Sequence, residues 1–97
     1  MDNKILDAIH QEILYGVYSQ TTEGGFEWEQ NGYTIELTSQ FSPCTYKWFY
    51  VINFFTDYGM QQFVVAPNDT HYSSISERWR SLSKVCFPQN EIIKLFK

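Results

Sequence analysis

The stretch Phe26-Glu27-Trp28-Glu29-Gln30-Asn31-Gly32-Tyr33-Thr34-Ile35-Glu36-Leu37 decides the fold. On both sides of Asn31-Gly32 apolar and polar residues alternate, which is the period of a half-buried strand. Asn-Gly suits the two positive φ angles of a type I′ turn, so the pattern predicts a tight hairpin. A two-residue turn pairs Gln30 with Tyr33, Trp28 with Ile35 and Phe26 with Leu37. These apolar partners share one face, an independent check on the register, because a slip of one residue would scatter them. The other face sets Glu27 opposite Glu36 and Glu29 opposite Thr34. Like charges placed directly opposite each other are unfavourable.

Downstream, the second strand runs toward Phe41 and Ser42-Pro43 stops it, since proline cannot donate to a ladder. Residues 46–56, Tyr-Lys-Trp-Phe-Tyr-Val-Ile-Asn-Phe-Phe-Thr, carry aromatic and β-branched residues on both faces, as expected of a central strand. Asp57-Tyr58-Gly59 makes the next turn and residues 60–66 return, ending at Pro67. With Tyr58-Gly59 as the central pair, Phe54 meets Phe63 and Ile52 meets Val65 on a face continued by Tyr50 and Trp48. That face is read as core. The opposite face carries Lys47, Phe49, Val51, Asn53, Phe55, Gln62, Val64 and Ala66.

The flanks read as helices. Ile5, Leu6, Ile9, Ile13 and Leu14 form a stripe near the 3.6-residue period over residues 2–15, with Asp2 or Asn3 as cap and Gly16 as a left-handed stop. His10 falls off this stripe and reads as solvated. Ser19 to Gly25 is a polar, glycine-ended segment, predicted as a flexible loop. Ser74-x-x-Glu77 matches a capping box for a second helix. Ile75, Trp79, Leu82 and Cys86 make its apolar stripe, while Arg78, Arg80 and Lys84 lie off it and read as a solvated face. Phe87-Pro88 interrupts, and residues 90–96 add a short terminal element, read as helical.

The expected architecture is a single α+β domain over residues 1–97, in the order α-β-β-β-β-α. A four-stranded antiparallel meander packs against helices on at least one face. At 97 residues the chain has one core and buries roughly 60–65% of its unfolded surface. The eighteen aromatics, 8 Phe, 7 Tyr and 3 Trp, give that core its bulk.

Charge narrows the function classes. Residues 1–77 carry ten acids against Lys4 and Lys47, whereas residues 78–97 carry five basic residues against Glu91, for a total of −4. An acidic majority disfavours direct nucleic-acid binding. There is no apolar run long enough to span a membrane. No basic region followed by an apolar run opens the chain, which leads to the expectation of a cytoplasmic protein. Cys44 and Cys86 form no zinc spacing and read as free thiols. No cofactor or metal motif is visible. Asp69-Thr70-His71-Tyr72-Ser73-Ser74 contains triad residue types, but sequence proximity does not build a triad, and turn and capping chemistry accounts for the run.

The predicted site is the outer sheet face. Glu27, Glu29 and Glu36 form an acidic cluster beside the apolar Phe49, Val51, Phe55 and Val64. Apolar residues on a face that helices leave open mark an interface. The primary expectation is a small non-catalytic module that binds a protein partner or a second copy of itself. The alternatives are an acidic inhibitor of a nucleic-acid-binding enzyme that mimics phosphates, and a small ligand-binding protein or enzyme.

Overall fold

A computed structural model describes residues 4–86, the side chains of Val85 and Cys86 excepted. The expected caps at Asp2 or Asn3, the Phe87-Pro88 break and the element at 90–96 lie outside the described residues. The chain runs α1 (Lys4–Tyr15), β1 (Ser19–Gln20), β2 (Phe26–Gln30), β3 (Tyr33–Ser42), β4 (Lys47–Thr56), β5 (Gly59–Val65) and α2 (Tyr72–Cys86). The strands form one antiparallel sheet in sequential order. Among the described residues the sheet has five strands, not four, because Ser19–Gln20, read as loop, pairs with Phe26 and Glu27. The return is closed by Thr21 N–H to Gly25 O (3.0 Å) and Gly25 N–H to Thr21 Oγ1 (2.9 Å). Gly25 is required there: a Cβ would stand 2.7 Å from the Leu37 carbonyl oxygen.

The β2–β3 register is the one the alternation predicts, Gln30 with Tyr33, Trp28 with Ile35 and Phe26 with Leu37. The turn type differs. Gly32 takes φ 98° while Asn31 has no positive φ, so the positive angle falls on the second central residue alone, as in a type II turn. At the β4–β5 turn the central pair is Asp57-Tyr58, so Ile52 meets Phe63 and Phe54 meets Gln61. Thr56 Oγ1 accepts from Tyr58 N–H at 3.2 Å and fixes this choice. The slip from the expected register is two residues, which preserves every side chain's face.

Both helices cover one face. Ile9 and Ile13 of α1 and Ile75 and Leu82 of α2 join Phe26, Trp28, Ile35, Leu37, Tyr50, Ile52 and Val65 in one core. α1 ends at Tyr15 without a left-handed glycine, since Gly16 has no positive φ. Its last carbonyls are met from α2 instead: Arg78 Nε donates to Ile13 O (2.9 Å) and Arg78 Nη2 to Gly16 O (3.4 Å). Arg78 is thus a tie between the helices and not part of a solvated face. Nor is Ser74 the cap of α2, which starts two residues earlier at Tyr72; the His71 carbonyl accepts the first helical bond, from Ile75 N–H.

Trp48, with its cross-strand partner Phe41, and Val51 depart from the face rule. Trp48 is on the helix side yet 54% exposed, and Val51 is on the outer side yet only 5% exposed. β3 and β4 pair on to Ser42 and Lys47, past the last partners supplied by β2 at Leu37 and by β5 at Tyr50. Trp48 therefore stands on a projecting two-stranded end. Val51 sits mid-sheet between Thr38 and Val64, with a paired strand on either side of it. Among the described residues no helix is long and apolar enough to cross a membrane.

Candidate functional site

Strand register sets the outer face in rows. Glu27 opposes Glu36, Glu36 opposes Asn53, and Asn53 opposes Gln62, a polar row across β2 to β5. It is hydrogen-bonded: Asn53 Nδ2 donates to Glu36 Oε1 and Gln62 Nε2 donates to Asn53 Oδ1, both at 2.9 Å. The Asn53 amide gives the Glu36 carboxylate a donor, which compensates its placement opposite Glu27.

On one side of this row lie Glu29, Thr34, Phe55 and Met60; on the other lie Thr38, Val51 and Val64, with Phe49 one row further. All seven predicted residues, Glu27, Glu29, Glu36, Phe49, Val51, Phe55 and Val64, share the face, but the polar row divides the apolar ones. Phe55 is 40% exposed and Val64 56%, whereas Phe49 is half-buried and Val51 buried. Met60 is a further exposed apolar residue of this face: strand parity with Gln62 and Val64 places it there, and the β4–β5 register sets it opposite Phe55. The face is graded: β2 and β3 bring its carboxylates, while β5 has no charged residue.

The helix side holds a second cluster that sequence reasoning missed. His10 Nε2 and Ser74 Oγ are 2.6 Å apart, and His71 Nε2 lies 3.3 Å from Asp7 Oδ1. The two imidazole centroids are 4.2 Å apart. His10 is half-buried at the junction of α1 and α2 and is not solvated. Ser74 Oγ also reaches His71 O at 3.2 Å, so one hydroxyl joins the His10 ring to the His71 backbone. Burial holds the His10 pKa below its ordinary value of 6.5, the neighbouring His71 lowers it further, and Asp7 opposes both. A catalytic triad needs one imidazole between acid and hydroxyl. Here Asp7 addresses His71 while Ser74 addresses His10. Among the described residues no three His, Cys, Asp or Glu side chains are arranged to hold a metal ion. Cys44, a free thiol, is exposed in the turn between β3 and β4.

Comparison of the chain with known protein families, with curated proteins and with solved structures gave no match.

Proposed function

We propose that the protein is a non-catalytic binding module that engages a protein partner through the outer sheet face. One observation carries this reading: both helices pack on the other face, leaving Phe55, Met60 and Val64 open to solvent beside an acidic edge. Apolar residues of this kind supply affinity, and the carboxylates select the partner and speed its approach. The occupant is a protein surface with an apolar centre and a lysine- or arginine-bearing rim, complementary to Glu27, Glu29 and Glu36.

The test compares baits. Wild type, Val64→Asp and the double variant Glu27→Lys/Glu36→Lys are used to capture native partners, with thermal melts to confirm folding. The reading expects a basic protein held by wild type, lost from both variants and released by moderate salt. Equal capture by all three baits overturns it. So does a dimer of the chain itself, seen by light scattering and dissolved by Val64→Asp.

A further inference from the structure

The projecting end of the β3–β4 ribbon forms an aromatic cleft that the outer-face reading does not use. It lies on the helix side, between the ribbon and the first half of α2, with a volume of about 420 Å³ and with Trp48, Tyr72, Trp79 and Arg80 among its walls. That volume is within the range of small-molecule sites. Its walls are fixed from behind. Tyr72 Oη donates to Trp48 O at 3.1 Å, and Tyr50 Oη and Ser76 Oγ hydrogen-bond at 3.0 Å. Trp79 is braced edge-on by Phe26 with centroids 5.1 Å apart, and Trp48 by Phe41 at 5.4 Å.

Two groups remain uncommitted. Trp48 is more than half exposed although it lies on the core side. Arg80 is exposed and, among the described residues, has neither a hydrogen-bond nor an ion-pair partner. By contrast Arg78, two residues earlier, is spent on the carbonyls of Ile13 and Gly16. Lys84 adds positive charge one turn beyond Arg80, and Glu77 lies on the same stretch of helix surface.

An exposed indole offers a stacking face, and a free guanidinium offers a planar fork for a carboxylate or phosphate. We infer that this cleft binds a small planar aromatic anion, its ring against Trp48 and its acidic group on Arg80. A quaternary ammonium ligand, which aromatic walls also attract, is disfavoured by the Arg80 charge.

The test follows the indole N–H signals of the three tryptophans by NMR during titration with adenosine monophosphate and with indoleacetate. Adenosine and indole are the neutral controls. Trp48 and Trp79 signals should shift saturably with at least one anion while Trp28, fully buried elsewhere in the core, stays still. Arg80→Gln should weaken the anion about tenfold and leave its neutral counterpart unchanged. Trp48→Ala should abolish the Trp79 response. Saturation by the phosphate alone or the carboxylate alone would define the acidic group. No saturable shift with either anion at millimolar concentration would overturn the inference, as would equal binding of anion and neutral control. Thermal melts check that both variants remain folded.

Discussion

Trp28 and Trp48 sit on the same side of the same sheet, yet Trp28 is fully buried and Trp48 is largely open. Trp28 lies where β2, β3, β4 and the helices overlap; Trp48 lies where only β3 and β4 continue. Strand alternation chooses the face of a residue, but coverage chooses its burial. Ten residues of β4 span about 33 Å, whereas the fifteen of α2 span about 22 Å. The sheet therefore has a sealed body and an aromatic end that the helices do not roof.

Substitutions at these two tryptophans separate the regions most strongly. Trp28→Ala removes a large, fully buried side chain and should cost about 3–5 kcal/mol in denaturant unfolding. Trp48→Ala should cost less than about 1 kcal/mol. Similar losses at the two sites would mean that the ribbon end is packed like the body. Gly25→Ala comes next, because its Cβ would press on the Leu37 carbonyl; overpacking of this kind costs roughly 1–3 kcal/mol, measured the same way.

The arginine pair sharpens the comparison further. Arg78→Ala frees two carbonyls at the end of α1 and should destabilise by about 1–2 kcal/mol. Arg80→Ala should stay within about 0.5 kcal/mol. Equal effects would contradict the division of labour between a structural and an uncommitted guanidinium.

The smallest expected effect is a pH dependence. The folded His10 pKa is depressed below 6.5, so below that pH the unfolded chain binds the proton first. Stability is fully present above pH 6.5 and falls as pH drops toward the folded value, where the loss levels off. Urea midpoints of wild type and His10→Gln should diverge from each other in this window, with the variant flatter; parallel curves would remove His10 as the cause.

Much of this fold is legible in the sequence, and the reasons are local. Alternation around Asn31-Gly32 yields the β2–β3 register, and helical periodicity yields Ile9, Ile13, Ile75 and Leu82 as the helix contribution to the core. The β4–β5 register slipped because Asp57-Tyr58-Gly59 allows two central pairs, and a threonine hydroxyl selects between them. The seven outer-face residues were placeable by parity, but their division by the Glu36–Asn53–Gln62 row follows from hydrogen bonds between strands. The exposure of Trp48 is not legible in the sequence, because ribbon length relative to neighbouring strands and helices is a tertiary property. His10 with His71 and Arg78 with Ile13 join residues more than sixty positions apart, and no periodicity within either helix announces them.

The central functional claim is that the outer face is where a partner docks. A photo-reactive residue placed at Val64, compared with one at Ser73 on α2 and one at Tyr58 in the β4–β5 turn, tests it directly, all three positions being exposed. The account predicts cross-links to a basic protein from position 64 and background levels from 58 and 73. Cross-links to the partner that are stronger from position 73 than from position 64 would contradict it.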